Sequence, residues 1–249
     1  MQFQDATILL VDDEPDLLDI MAEWFHREGA RVFVAQHGGE ALNLIQQNQV
    51  DAVVSDIRMP VMDGLALLRH LKSVHASKPS VIFISGFSDI EPRDAYDLGV
   101  EAIMSKPVER KELISVVARI LTARNDLWCS PLPDNPQALL VSSFASLAAA
   151  RAQGHFAFGR GGFCIHSTLL LAAGPIELLL DFQADHRKVL GQGIVRWADF
   201  AEAQLGVEIT YIDDATRPWL LSLIESLDSP SFIPRTARIQ TSRARSAPL

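Results

Sequence analysis

The first half of the chain alternates short apolar runs with amphipathic stretches, and this alternation limits the possible folds more than any other feature. Between the runs, apolar residues recur at helical spacing, as at Leu65, Leu68 and Leu71. Strands that alternate with helices predict a parallel sheet covered by helices on both faces. We therefore predict a doubly wound α/β domain over residues 1–124. Its five strands are expected at 6–11, 31–35, 51–55, 80–85 and 101–105.

Polar residues stand at the ends of four of these predicted strands. Asp12 and Asp13 follow the first strand, Asp56 follows the third, Ser85 ends the fourth and Lys106 follows the fifth. In an open parallel sheet the carboxyl ends of the strands lie at one edge, where ligands bind. We expect these five side chains to meet there.

Three carboxylates in one cleft repel each other, and that repulsion favours a bound divalent cation. Ligand sets made only of oxygen suit Mg²⁺, which binds through one or two carboxylates together with phosphate. A lysine and a hydroxyl on the opposite side would hold phosphoryl oxygens, and a central carboxylate would accept the phosphoryl group. The pattern thus predicts Mg²⁺-dependent phosphoryl transfer to an aspartate.

Four short segments identify a family that residues 1–124 resemble. LLVDDEP, SDIRMPVMDG, ISG and MSKP occur in the order and at the spacing of the receiver domains of bacterial two-component response regulators. The resemblance implies a flavodoxin-like fold, Mg²⁺, and a histidine kinase or phosphotransfer protein as partner. It also implies that the chain is no enzyme, apart from phosphoryl transfer to itself and slow self-dephosphorylation.

The same resemblance implies a role for individual residues. Asp56 would be the phospho-acceptor, and Ser85 and Lys106 would contact the phosphoryl group. The metal ligands would be Asp13, supported by Asp12, with Asp56 and the backbone carbonyl of Arg58. The peptide between Lys106 and Pro107 is often cis in this family.

One position departs from the family pattern. Ile103 stands where the family usually has Tyr or Phe, the side chain that moves inward when Ser85 moves toward the phosphate. Isoleucine is shorter and has no hydroxyl. We expect a weaker switch, or one that uses other groups.

A phosphatase with an aspartyl nucleophile is the enzyme-class alternative for this pocket. Such phosphatases use Asp-x-Asp spacing, whereas the first strand here is followed by Asp12, Asp13 and Glu14. No insert that would cover a substrate is visible. Phosphoryl signalling therefore remains the leading hypothesis.

The second half has a different pattern. A linker rich in proline is predicted over residues 125–137. The stretch ALLVSSFASLAAARAQ then has helical character. The segments HFAFG, GFCIHST, IELLLDFQ, VLGQGIVRWA and GVEITYID follow, with turn residues between them. This spacing predicts a small antiparallel β-barrel, closed by a helix that carries Leu220, Leu223, Ile224 and Leu227.

Residues 155–227 resemble the PilZ domain, a small barrel often fused to receivers, and we assign it to residues 138–228. Many members bind cyclic di-GMP through Arg-x-x-x-Arg before the barrel and Asp/Asn-x-Ser-x-x-Gly on its first strands. The second motif aligns here to Ala157, Gly159 and Gly162, so only its last glycine is kept. Between Arg124 and Arg160 the only arginine or lysine is Arg151.

These substitutions decide what we expect of the second half. Loss of several charge-assisted contacts, at ~1.5 to 3 kcal/mol each, weakens nucleotide binding by orders of magnitude. The remaining candidates for nucleotide contact are Arg151, Arg160 and Gly162. We expect a barrel that binds an unknown downstream protein; the alternative is a cyclic di-GMP sensor that joins this signal to phosphorylation.

Net charge and hydropathy limit which other kinds of partner the chain is expected to have. The formal net charge is -9, and no basic recognition helix is visible, so DNA is not expected as a partner. No apolar run approaches the ~20 residues of a membrane-spanning helix, and we expect a cytoplasmic protein. A basic, disordered tail is predicted over 229–249. Receivers often pair through their fourth and fifth helices, so a homodimer of this kind is possible.

Overall fold

The first half is a parallel sheet with five strands, as predicted. The computed structural model describes residues 3–86, 89–122, 126–129, 131, 136, 138–167, 169, 171–227 and 229–235. The strands are β1 (Thr7–Val11), β2 (Arg31–Ala35), β3 (Ala52–Asp56), β4 (Ser80–Ser85) and β5 (Ala102–Ser105). Their order in the sheet is β2-β1-β3-β4-β5, and every neighbouring pair is parallel. The doubly wound, flavodoxin-like prediction is confirmed.

Helices cover both faces of this sheet. Ile8 and Leu10 of β1 share a buried cluster with one face's helices, while Leu9 and Val11 point into the cluster of the other face. This alternation is the period of two expected of a strand. The helices are α1 (Pro15–Arg27) and α5 (Arg110–Ile120) on the first face, and α2 (Gly38–Gln47), α3 (Gly64–Val74) and α4 (Pro92–Leu98) on the second.

Local sequence sets the ends of several of these helices. Pro15 stands in the first turn of α1, where its missing N–H costs nothing. Asp63 caps α3, because its Oδ1 accepts a hydrogen bond of 2.7 Å from the N–H of Ala66. Gly99 ends α4 with φ +102°, a left-handed conformation that glycine adopts without strain.

The second half is a curled sheet with six strands and mixed direction. Its strands are β6 (Ala138–Phe144), β7 (Phe156–Phe158), β8 (Gly162–His166), β9 (Gly174–Phe182), β10 (Arg187–Asp199) and β11 (Gln204–Ile212). Their order is β6-β9-β10-β11-β8-β7. The prediction of a purely antiparallel barrel was wrong, because β6 runs parallel to β9. Two helices, α6 (Leu147–Ala152) and α7 (Arg217–Glu225), pack against the buried face.

The stretch predicted to be helical contains both kinds of element. Residues 138–144 form β6, in which Leu140 is buried while Leu139 and Val141 are about half exposed. This alternation suits an edge strand with one buried face. The helix α6 begins only after Ser146, whose hydroxyl caps it by accepting a hydrogen bond from the N–H of Ala149.

The two halves contact each other through residues 229–235. The backbone N–H groups of Phe232 and Ile233 donate to the carbonyl of Tyr96 in α4, at 3.0 and 3.4 Å. Ile233 is fully buried, in a cluster that also contains Trp197 of β10. The predicted tail is therefore packed over its first seven residues, since apolar side chains there find a surface to cover. Residues 236–249 lie outside the described part of the chain.

Candidate functional site

The five predicted side chains lie at the carboxyl edge of the first sheet. Asp12 and Asp13 directly follow β1, Asp56 is the last residue of β3, Ser85 is the last residue of β4, and Lys106 directly follows β5. The parallel register of β1, β3, β4 and β5 brings these ends to one side of the sheet.

Three carboxylates form the acidic part of this site. One oxygen from each of Asp12, Asp13 and Asp56 lies within 4.8 Å of the others. Asp12 and Asp56 are buried, whereas Asp13 is exposed and open to solvent. The donor set consists of oxygen alone and keeps an open side for water, which fits Mg²⁺.

Lys106 lies against two of these carboxylates. Its Nζ is 3.1 Å from Oδ2 of Asp12 and 3.2 Å from Oδ2 of Asp56. Burial lowers the pKa of Lys106, but the hydrogen bond to Asp12 and the two negative charges outweigh it, so that the pKa is raised. Lys106 therefore carries its positive charge at neutral pH. The Lys106-Pro107 peptide is cis.

Asp56 is a buried acid, and its neighbours compensate its negative charge only in part. Burial raises its pKa, and the charge of Lys106 together with hydrogen bonds from Lys106 and from the N–H of Ile57 opposes that rise only in part. The Ile57 N–H donates to Oδ1 at 2.8 Å, while Oδ2 faces Lys106. Both oxygens of Asp56 are thus oriented by fixed partners.

Ser85 is held by groups other than Asp56. Its hydroxyl lies 2.6 Å from the carbonyl of Gly86 and 3.1 Å from Oδ2 of Asp89. Asp89 also accepts a hydrogen bond from Nε of Arg58. Sequence reasoning missed Asp89, because it lies in the connection between β4 and α4, outside any recognised segment. The side chain of Arg58 points to Asp89, and the metal-binding role of its carbonyl stays a prediction.

Ile103, at the position of the expected aromatic switch, lies in β5 and packs against the buried cluster on the second face of the first sheet, which also includes Trp197 and Ile233. Beside it is a buried aromatic side chain from α4. Tyr96 is 3% exposed and has a hydrogen bond to the backbone of Ile103. An aromatic ring is therefore present on this face, but α4 supplies it.

Of the predicted nucleotide-contacting residues, Arg160 and Gly162 lie in one turn, whereas Arg151 lies in α6. The guanidinium of Arg160 binds the carbonyl of Gly99 at 3.1 Å and Oε1 of Glu101 at 2.7 Å, so it faces the first half. Gly162 begins β8, where a Cβ would lie 2.0 Å from the carbonyl oxygen of Val207. Arg151 lines a separate cleft beside Arg187 and Trp219.

Residues 159–162 form the glycine turn, and residues 231 and 232 of the same chain cover it. The N–H groups of Arg160 and Gly161 donate to the carbonyls of Ser231 and Phe232, each at 3.0 Å. A Cβ on Gly161 would lie 2.0 Å from the Phe232 ring. The backbone amides that would suit a phosphate hold residues 231 and 232.

Two buried carboxylates bridge the halves. Glu101 of the first half binds Lys72 at 3.1 Å within its own half and Arg160 at 2.7 Å from the second. Glu208 of the second half binds Arg196 at 2.5 Å within its own half and Arg119 from the first. Both carboxylates are only 2 to 3% exposed.

Comparison with known proteins identifies the type of domain that the first half forms. The family model described as "Response regulator receiver domain" matches residues 8–118. This part of the chain is a receiver domain. The carboxyl-edge cluster of Asp12, Asp13, Asp56 and Lys106 lies within the matched range.

The curated relatives GlrR and YesN each match slightly less than half of this chain. The transcriptional regulatory protein GlrR of Escherichia coli K12 is 33% identical over 117 residues, which is 47% of this chain and 26% of that protein. The uncharacterized transcriptional regulatory protein YesN of Bacillus subtilis is 40% identical over 120 residues, 46% of this chain and 32% of that protein. The chain thus spans about a third or less of these relatives' length.

A solved receiver domain protein of Clostridium thermocellum is 27% identical to this chain. It covers 47% of this chain and 94% of its own, with a TM-score of 0.44. Among the described residues of our chain, no helix has the length and apolar character needed to cross a membrane.

Proposed function

We propose that the chain is a response regulator that accepts a phosphoryl group on Asp56 from a histidine kinase or phosphotransfer protein in the presence of Mg²⁺. The observation that carries this proposal is the arrangement of Asp56, whose Oδ2 lies 3.2 Å from Lys106 within the three-carboxylate cluster. A buried nucleophile, a cation and a metal-binding acid pair are the parts that phosphoryl transfer to a carboxylate requires.

Each residue of the site has a separate role in the proposed transfer. The Asp56 carboxylate attacks phosphorus, the P–N bond of the donor's phosphohistidine breaks, and the imidazole leaves and takes up a proton from solvent. Asp12 and Asp13, with Asp56 and the Arg58 carbonyl, would hold Mg²⁺, which would neutralise charge on the phosphoryl oxygens. Lys106 would pair with the same oxygens, and Ser85 would turn from Asp89 to donate to them.

Asp56→Asn tests this function. The variant is expected to lose all labelling by acetyl phosphate with Mg²⁺, because an amide is not a nucleophile of this kind. Asp16→Asn, a substitution of an exposed acid in the first turn of α1, is expected to label like the wild type. Intact mass measurement would detect the added phosphoryl group, and undiminished labelling of Asp56→Asn would disprove the assignment.

We propose that the output passes through the contact between the halves to another protein. Ser85 contacts Asp89, which lies three residues before α4, and α4 holds residues 232 and 233 through the Tyr96 carbonyl. Movement of Ser85 toward a phosphoryl group would therefore loosen α4 and the segment on it. Beryllofluoride with Mg²⁺ should speed hydrogen exchange at 159–162 and 229–235 in the wild type but not in Asp56→Asn; unchanged exchange in the wild type would exclude this route.

We also propose that the second half is a PilZ-like module that acts by protein contact. Support comes from the segments quoted above and from Trp197, against which Gly206 packs so closely that a Cβ there would lie 2.0 Å from the ring. Cyclic di-GMP binding gains no support, because the turn amides donate their hydrogen bonds to the carbonyls of residues 231 and 232.

Control of transcription is not part of the proposed function. The names of GlrR and YesN describe whole proteins, of which this chain spans about a third or less. Within the described residues, α6 and α7 are separated by five strands rather than by the short turn of a helix-turn-helix motif.

Receiver pairing through α4 and α5 would require the face that the second half covers here. This proposed role places the protein in the cytoplasm.

A further inference from the structure

Asp89 is a nearly buried carboxylate beside the phosphoryl site that the proposed transfer does not use. Its side chain is 7% exposed, although it lies in a connection at the surface between β4 and α4. It is outside the metal-binding group, which consists of Asp12, Asp13 and Asp56. A charge this buried needs donors to compensate its lost hydration.

Two donors compensate Asp89: Ser85, a residue of the proposed phosphoryl site, and Arg58, which lies beside that site. Ser85 lies 3.1 Å from Oδ2, and Nε of Arg58 donates to Oδ1. Ser85 is the hydroxyl expected to bind the phosphoryl group. Arg58 is two residues from Asp56, and its side chain is 73% exposed, so it is free to turn toward another anion.

We propose that Asp89 is a positioning residue that competes with the phosphoryl group of Asp56 for Ser85 and Arg58. This inference rests on the proposed phosphorylation of Asp56. In the unphosphorylated protein the Asp89 carboxylate binds Arg58 and shares the Ser85 hydroxyl with the Gly86 carbonyl, which lies 2.6 Å away. A phosphoryl group brings more negative charge to the same edge, so the donors exchange one anion for the other. Asp89 thereby lowers the occupancy of the phosphorylated state.

The chemistry of the exchange requires no further reactant. Hydrogen bonds to an ionised acceptor are the stronger ones, so the carboxylate of Asp89 is a stronger competitor than a neutral amide of the same shape. Asp89→Asn removes the charge and keeps the size, while Asp89→Glu keeps the charge. The two variants therefore separate competition by charge from loss of packing.

The test measures the affinity of the full chain for beryllofluoride with Mg²⁺, through tryptophan fluorescence. We expect Asp89→Asn to bind about tenfold more tightly than the wild type, and its phosphoryl group from acetyl phosphate to last longer. Asp89→Glu should return toward the wild type. Affinity for Mg²⁺ alone should not change in Asp89→Asn, because Asp89 is not a metal ligand.

Glu23→Gln is the matched control, since Glu23 forms an ion pair with Arg27 on the exposed surface of α1. It should bind beryllofluoride like the wild type. Equal or weaker binding by Asp89→Asn, in a wild type that does accept the phosphoryl group, overturns the competition. A wild type that accepts no phosphoryl group overturns the proposed function as well, so the two failures are distinguishable.

Discussion

The ammonium of Lys106 lies 3.2 Å from Oδ2 of Asp56, and it opposes the rise in the Asp56 pKa that burial causes. In the proposed transfer, only the carboxylate form of Asp56 would attack phosphorus. The labelling rate with acetyl phosphate should therefore fall as the pH falls through the raised pKa of Asp56.

Lys106→Gln removes the positive charge and leaves the burial, so the pKa of Asp56 should rise further. The acid limb of the pH profile of labelling should then move to higher pH, and the rate on its plateau should fall. Lys111→Gln, at an exposed position in α5, should leave the profile in place. An acid limb that stays where it was in Lys106→Gln would show that this contact does not set the pKa of Asp56.

The second prediction concerns the contact between the glycine turn and the Phe232 ring. A Cβ on Gly161 would lie 2.0 Å from two atoms of the Phe232 ring, so Gly161→Ala should expel that ring and release residues 229–235. Hydrogen exchange at α4 and at residues 159–162 should become faster. In a Phe232→Ala background the same Gly161→Ala change should have little further effect, because its clash has been removed. Equal effects in both backgrounds would mean that the ring does not pack on the turn.

The third prediction concerns cyclic di-GMP. Isothermal titration of the full chain should show no binding in the micromolar range, because Arg160 is engaged by Glu101 and the turn amides are engaged by residues 231 and 232. Phe232→Ala, which removes the ring packed on the turn, should also show no micromolar binding, since Ala157 and Gly159 offer no polar side chains to a base. Micromolar or tighter binding by the wild type would contradict this prediction.

The carboxyl-edge site could be predicted from sequence because strand ends in a parallel sheet share an edge whatever the details of packing. Asp12, Asp56 and Lys106 follow from that rule alone. Asp89 could not be found in this way, since its partners Ser85 and Arg58 depend on the path of an irregular connection.

Residues 138–144 and 229–235 were misjudged for different physical reasons. ALLVSSF has apolar residues that suit either a helix or a strand, and only pairing with β9 decides between them. The segment from Ser229 has the serine, proline and arginine of a solvated tail, but Ser231 donates to the carbonyl of Asp97, 134 residues earlier in the chain. No local pattern encodes a contact at that separation.

The paired carboxylates between the halves have a consequence for how the molecule comes apart. If the receiver domain and the second half separate, Glu101 still has Lys72 and Glu208 still has Arg196. Breaking a buried ion pair is costly mainly when one charge is left alone. Here Glu101 and Glu208 each keep a cation of their own half, so the charges that lose their carboxylate when the halves separate are Arg160 and Arg119.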